Sequence, residues 1–399
     1  MLLKRTIRCV TLKLTKKPTP QLISITQTGR VIGGIDVLGF FTAEHGVGEA
    51  ARVLTSTLKS AGVPVSTIDY TDTQSRREHL FDCDNVSRNK VLMMAVNADH
   101  LNESHRRLDR KFFRKRYVIG QWFWELEEAP HWFGPAFAHV DELWAPTRFI
   151  ETMLRKHAPS RVQVKYVPLP VVTPQVDASI TRARFGLDDR FMFLFAFDFM
   201  SVMKRKNPLG LIEAFTKAFA EGEGPMLVIK AINGDKRVVE RNMLRDAVRK
   251  RSDIVLIDEY FTKVETSTLT SLADCYVSLH RSEGLGLTMS EAMTLGRPVI
   301  ATGYSGNLDF LSDANSFIVP GSRVKVGDGA EGYSPEAMWM EPNVTEAAKY
   351  MRYVYENQAE AAQKGLRGQA DILRAFDVAS CGAIMKGRLE QIWRSQHGN

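Results

Sequence analysis

From about residue 31 the chain repeats one unit: a short apolar run, a turn, then a stretch whose apolar positions recur every three to four residues. Residues 31–40 (VIGGIDVLGF) predict a strand, EHGVG a turn, and 49–62 (EAARVLTSTLKSAG) an amphipathic helix. Further strands are predicted at 63–69, 89–97, 115–124, 140–147 and 163–171. A polar, strand-poor stretch over 173–189 then reads as a linker. The alternation restarts at 191–199 (FMFLFAFDF), followed by a loop, SVMKRK, and a helix that Asn207 caps with Pro208 in its first turn. Apolar runs at 225–233, 253–260, 275–280 and 298–302 predict buried strands with helices between them. Everything after 343 reads as helical and closes on a basic amphipathic stretch, AIMKGRLEQIWRSQ. Two successive runs of this kind predict an α/β protein of two Rossmann-like, doubly wound domains, facing a cleft between the C-terminal edges of their strands.

Composition agrees with that division. The 399 residues suit two domains of roughly 150–200 residues each. The domains assigned are 31–172 and 190–375, preceded by an arm at 1–30 and followed by a helical segment at 376–399. Four widely spaced cysteines, Cys9, Cys83, Cys275 and Cys381, argue against a zinc ribbon or a disulfide scaffold and fit a reducing compartment. The apolar runs are too short to span a bilayer, and basic residues interrupt any signal-peptide core. No repeat of short fixed period is present, which excludes a solenoid.

The net charge of +7 has a location. Residues 1–35 hold seven Lys and Arg and no acidic residue, equal to the whole excess of 53 Lys and Arg over 46 Asp and Glu. With Leu2, Leu3, Ile7, Val10, Leu12 and Leu14 interleaved, this arm is either an amphipathic segment for an anionic membrane surface or a solvated tail. Nucleic acid is not an expected partner, because no basic patch with interleaved aromatics occurs elsewhere.

Four constellations carry candidate chemistry. In SLHRSEGLGLTMSEAMTLGRPVIAT, Glu283 opens a Gly-rich loop after a strand and Glu291 follows eight positions later. Gly284, Leu285 and Gly286 offer backbone N–H groups beside a helix start, and carboxylates accept from vicinal hydroxyls. That suits a polyhydroxylated, phosphate-bearing ligand. The competing reading makes Thr288–Glu291 a capping box. Second, the basic loop Lys204–Lys206 lies between a strand and a helix, where Arg205 and Lys206 would hold a diphosphate. Solvated surface lysines are the alternative. Third, Gly46 and Gly48 in EHGVGE either approach a ligand or relieve a tight turn. Fourth, Trp124 and Glu125 in WFWELEE end a strand and suit a sugar or lipid-linked acceptor, although dense aromatics are commonly core. Asp99 and His100 end another strand as further acceptor-side candidates. No HExxH, H-x-E or DxD cluster assigns a metal.

These motifs resemble the retaining GT-B glycosyltransferases of family 4, the group 1 glycosyl transferases. The E-x7-E pair matches Glu283 and Glu291, FDFMSVMKRKNPLGLIEAF resembles the strand, basic loop and helix, and GVGEAAR and WELE are similar to a bacterial branch. The resemblance covers about residues 31–395 and implies a GT-B fold with a C-terminal helix packing back toward the first domain. It implies an acceptor domain first and a donor domain second. Glu291 would hold the donor ribose, Glu283 the sugar hydroxyls, and Arg205 and Lys206 the departing diphosphate. Ser201 stands where the family has a further basic residue. No secure N-domain catalytic histidine is found, and His100 is the candidate.

The resemblance further implies a metal-independent enzyme without a cofactor, using a nucleotide-diphosphate sugar as co-substrate. It would transfer a hexose to a cell-surface polysaccharide, lipopolysaccharide or glycolipid from the cytoplasm, peripheral on the inner face of the plasma membrane. A sugar-nucleotide epimerase of the same fold and a non-catalytic scaffold in a membrane-bound synthesis complex are the alternatives.

Overall fold

The computed structural model describes residues 26–108 and 110–397. The first domain runs β1 (Thr26–Gly39), α1 (Gly46–Ser60), β2 (Val65–Asp69), β3 (Val86–Ala95), α2 (Ala98–Arg107), α3 (Arg110–Phe113), β4 (Tyr117–Gly120), α4 (Phe133–Ala136), β5 (Glu142–Ala145), α5 (Arg148–His157) and β6 (Gln163–Tyr166). Its six strands are parallel in the order β2-β1-β3-β4-β5-β6. Successive side chains of β3 point to opposite faces. Leu92 and Met94 enter one apolar cluster, while Val91, Met93 and Ala95 enter the other. A sheet covered on both faces explains why these strands read as continuous apolar runs.

The second domain runs β7 (Met192–Asp198), α6 (Met203–Lys206), α7 (Pro208–Ala218), β8 (Met226–Ile232), α8 (Val238–Val248), β9 (Ile254–Asp258), α9 (Lys263–Leu272), β10 (Cys275–Ser278), α10 (Leu287–Thr294), β11 (Val299–Thr302) and β12 (Phe317–Val319). A hairpin of β13 (Gly321–Lys325) and β14 (Met338–Pro342) follows, then α11 (Val344–Glu356), α12 (Gln358–Ala375) and α13 (Val378–His397). The parallel sheet has the order β12-β11-β10-β7-β8-β9. The order reverses between β7 and β10, and in the first domain between β1 and β3. Loops at the C-terminal ends of such strands form the crevice of a doubly wound sheet. This is the GT-B architecture that the alternation and the resemblance predict.

The C-terminal helix does return to the first domain. Cys381, Met385, Leu389 and Ile392 recur every three or four residues along α13 and are buried. The last three join the first domain's core, beside Leu54 and Leu58 of α1. Arg388 donates through Nε (2.9 Å) and Nη2 (2.5 Å) to Glu142, which is fully buried and also accepts from Tyr117 and Trp144. A buried carboxylate needs such partners, so Arg388 fastens the helix as well as neutralising the charge.

Several local expectations change. Strand β4 stops at Gly120, not at 124: a Cβ there would lie 2.8 Å from Leu143, and the aromatics that follow turn into the core instead. The SVMKRK segment is a one-turn helix, α6, not a plain loop. Strand β1 begins at Thr26, inside the span assigned to the arm. The remainder of the basic arm, with Cys9 and the proposed membrane-facing leucines, lies outside the described residues. The β13–β14 hairpin is not among the elements that periodicity predicts. Its signals are the alternation in Ser322–Val326 and the Asp328–Gly329 turn pair. Among the described residues, no helix is long and apolar enough to cross a membrane.

Candidate active site

The two halves of the site come from the two loops at the switch point of the second sheet. The loop after β7 carries Lys204–Lys206, and the loop after β10 carries Glu283–Gly286. Asn207 takes a left-handed conformation (φ 57°), accepts from the Gly210 amide at 3.2 Å and donates to the Leu279 carbonyl at 2.9 Å. One residue thus caps α7, as expected, and also staples the basic loop to the strand that carries Glu283.

Glu283 is buried between the two cations. Its Oε2 lies 3.1 Å from Arg205 Nη1, and its Oε1 accepts from Lys206 Nζ. Burial alone raises the carboxyl, but Arg205 and Lys206 outweigh it and hold Glu283 at about 2. Burial lowers Lys206 against the pull of Glu283, so this ammonium is the more readily deprotonated of the two cations. Burial also opposes the charge of Arg205, yet Glu283, Tyr333 and Glu125 keep it firmly protonated.

Arg205 is only 4% exposed and is already committed: Nη1 donates to the Ser282 carbonyl at 2.7 Å, and Nη2 lies 3.6 Å from Glu125. It holds the site together from beneath, whereas Lys206 is half-buried and stands at the surface of the pair.

Gly286 is left-handed (φ 89°) and ends the loop where α10 begins. Gly284 is tightly approached, and Gly306 beside it leaves no room for a side chain. A Cβ on it would lie 3.2 Å from the Trp124 carbonyl of the first domain, and one on Gly306 would lie 2.0 Å from the Gly284 carbonyl. The capping box is not formed. The N-cap of α10 is Gly286, so Thr288 and Glu291 both lie inside the helix. Glu291 instead lines a cavity of about 510 Å³ between the domains, together with Glu49 and Arg52 of α1, Lys263 of α9, Leu285 and Phe310. Burial raises its carboxyl to about 7, with Lys263 opposing and Glu49 adding to the rise. Across this cleft Lys263 donates to Glu49.

The first-domain candidates separate. Gly46 faces the start of α10, since a Cβ there would sit 3.6 Å from Leu287, whereas Gly48 is fixed by packing, with the Phe40 carbonyl 2.6 Å from such a Cβ. His45 caps α1 by accepting from the Gly48 amide at 3.1 Å; burial, aided by Arg52 and His100, lowers it to about 4. The rings of His45 and His100 both pack on Phe40, each at 4.9 Å, so His100 reaches the first domain's switch point. Asp99 is exposed and lies 3.8 Å from His100.

Trp124 is core, not an acceptor platform. It is 8% exposed, packs on Trp132 and Tyr333, and donates to the Glu128 carbonyl at 2.8 Å. Glu125 reaches the loops of the second domain instead, facing Arg205 and accepting from Tyr333 at 2.9 Å. Tyr333 and Lys263 were not legible as site residues, because each reaches the site by tertiary folding alone. Among the described residues no three His, Cys, Asp or Glu converge as metal ligands.

Such an arrangement offers a half-buried ammonium, the N-terminal amides of α10 and a carboxylate in an interdomain cavity, a set suited to phosphate and vicinal hydroxyls. Residues 200–364 match the family model described as glycosyl transferases group 1. Sucrose-phosphate synthase from Thermosynechococcus elongatus superposes with a TM-score of 0.67 at 12% identity, covering 91% of this chain and 99% of that one. Anabaena HepE in complex with UDP and glucose superposes with a TM-score of 0.64 at 14% identity, covering 90% and 99%. A search of curated proteins finds no match. At such identities the likeness concerns the fold. This chain has the GT-B fold and carries, in its second domain, a segment matching the glycosyl transferases group 1.

Proposed function

We propose that the protein is a retaining, metal-independent glycosyltransferase of family 4 that moves a hexose from a nucleotide-diphosphate sugar to a glycan or lipid-linked acceptor. The observation that carries this reading is the convergence of Lys206, Glu283 and the α10 N-terminus at the switch point of the second sheet, beside the cavity that holds Glu291. The group 1 match over the same segment and the UDP and glucose held by HepE support it. The ribose hydroxyls donate to Glu291, Lys206 meets the diphosphate, and Glu283 accepts from the sugar. The bond between the anomeric carbon and the diphosphate oxygen breaks as the acceptor oxygen bonds that carbon on the same face. The acceptor proton passes to the departing diphosphate. Lys206 stabilises the charge that develops on the leaving oxygen.

Cell-surface polysaccharide, lipopolysaccharide or glycolipid is the acceptor class proposed, with the basic arm resting on the cytoplasmic face of the membrane. The test is a screen of nucleotide sugars for binding by calorimetry and for slow hydrolysis, followed by assignment of the anomeric configuration of the product. Retention with one donor supports the reading. Donor conversion to an epimer without any acceptor would replace it with an epimerase, and no nucleotide binding at all would leave a scaffold.

Glu291 gives this reading a pH signature. Only the carboxylate accepts two ribose hydroxyls, and its ionised fraction rises from about one-tenth at pH 6 to about nine-tenths at pH 8 for a group titrating near 7. Affinity for a nucleotide sugar, whose diphosphate diester holds no proton in this range, is expected to rise about tenfold over that interval. Glu291→Gln flattens the profile at the low-pH level. A pH-independent affinity in the wild type, measured by calorimetry, would remove Glu291 from the ribose.

A further inference from the structure

The β13–β14 hairpin leaves the second domain and buries its apolar side chains in the first. Val326, Ala330 and Trp339 lie in the core that also holds Trp122 and Trp124. The same hairpin touches the loops after β7, β10 and β4. Lys204 Nζ donates to the carbonyls of Val326 (2.7 Å) and Asp328 (2.8 Å). Arg281, two residues before Glu283, forks onto Glu341 at 2.5 and 2.8 Å, and the Met340 amide donates to the Arg281 carbonyl at 3.0 Å. At its tip, Tyr333 packs against Trp124 at 5.2 Å and donates to Glu125 Oε2 at 2.9 Å. The other oxygen of Glu125 faces Arg205, whose Nη1 holds Glu283.

Resting on the glycosyl-transfer reading, we propose that Tyr333 is a positioning residue: through Glu125 it fixes Arg205, and thereby the Glu283–Lys206 pair, in the reactive arrangement. Glu125 has two oxygens and two partners from the other domain, one on the hairpin and one on the basic loop. With the Tyr333 hydroxyl in place, the carboxylate is held in one rotamer and Arg205 in one fork. Without it, Glu125 is free to turn and the Nη2 end of Arg205 loses its charge partner, so the fork shifts about the Nη1 end that Ser282 and Glu283 still hold, while the ground-state contacts that bind the nucleotide stay intact. The effect therefore falls on turnover, since a displacement of reacting groups by about 1 Å costs up to about 100-fold in rate.

The experiment is a double-mutant cycle on the full chain. Tyr333→Phe keeps the ring and its packing and removes one hydroxyl; Glu125→Gln keeps an acceptor for it and removes the charge. Each is expected to lower kcat about tenfold with donor KM within twofold, and the double variant to be no worse than the poorer single one. Arg323→Ala, which cuts only the exposed ion pair of the hairpin with Glu127, serves as a control and leaves kcat unchanged. Unchanged kcat in Tyr333→Phe, or additive losses in the double variant, would overturn the relay. Lys206→Ala in the same assay separates the two claims. If it loses turnover while Tyr333→Phe does not, only the relay falls. If the wild type turns over no nucleotide sugar, the functional reading falls. The relay is then judged by thermal unfolding of the ligand-free Tyr333→Phe, Glu283→Gln and double variants. A double-variant Tm about 2 °C above additivity supports it, and simple additivity overturns it.

Discussion

Lys206→Ala lowers turnover by about 10²–10³-fold while the protein remains folded. The reasoning starts from what the ammonium does in each state. In the free protein it shares Glu283 with Arg205, so its removal leaves that carboxylate with a charge partner 3.1 Å away and not stranded. Lys206 is itself lowered by burial, which means its charge is held there at a cost to stability. Its loss should accordingly cost less than the roughly 3–5 kcal/mol of breaking a buried pair outright, because Glu283 keeps Arg205. In the reaction, by contrast, Arg205 is occupied by Ser282, Glu283 and Glu125, and Lys204 by the hairpin carbonyls, which leaves Lys206 as the cation of the basic loop to meet the diphosphate. Charge building on the departing diphosphate then has no replacement for it. Steady-state kinetics with the identified donor, beside a thermal melt, check both halves. Turnover within threefold of wild type would remove the phosphate role from Lys206, and collapse of the melt would show that the pair is structural.

Chemistry-bearing segments were legible in the sequence wherever a local pattern sets both backbone and side chain. The apolar run of β7, the left-handed Asn207 before Pro208 and the E-G-L-G loop all announce themselves within about ten residues. Both halves of the donor side follow from that, including their meeting point, because strand order in a doubly wound sheet brings β7 beside β10. What was not legible depends on contacts between distant segments. Residues 204–206 carry three basic side chains in a row, and nothing local says that Lys204 is tied to hairpin carbonyls, that Arg205 turns inward and that Lys206 stays at the edge. A one-turn helix distributes them in three directions. Glu291 shows the same limit. Its spacing from Thr288 fits a capping box, and only the start of α10 at Leu287 excludes one. Trp124 and Glu125 are neighbours in sequence with opposite fates, one in the core and one facing Arg205. A hairpin from 200 residues away decides which is which.

Glu283→Ala is expected to damage stability and turnover together while leaving binding of the donor's nucleoside diphosphate, freed of its sugar, at least as tight as in the wild type. Arg205 cannot shed its proton, so without Glu283 a buried guanidinium keeps only the more distant Glu125 as counter-charge. Breaking a buried pair in this way costs about 3–5 kcal/mol, and the lower end applies because Lys206 is able to deprotonate. Acid titration gives a matching figure. Glu283 titrates at about 2 when folded and near 4.5 when not, so its contribution is fully present above pH 4.5 and is lost as pH falls toward 2. That difference corresponds to about 3 kcal/mol, or a Tm lower by about 10 °C at neutral pH. The variant's stability should also fall less steeply between pH 4.5 and 2 than the wild type's. The nucleoside diphosphate carries no hexose, so losing the carboxylate that would hold the sugar does not weaken it. A diphosphate no longer competes with Glu283 for Lys206, and by binding the folded state it restores part of the lost Tm. Turnover nonetheless falls, because the sugar hydroxyls have lost their acceptor. A tenfold weaker affinity for the nucleoside diphosphate of the identified donor, with an unchanged melt, would mean that Glu283 contacts the nucleotide itself and is not the counter-ion of Arg205 and Lys206.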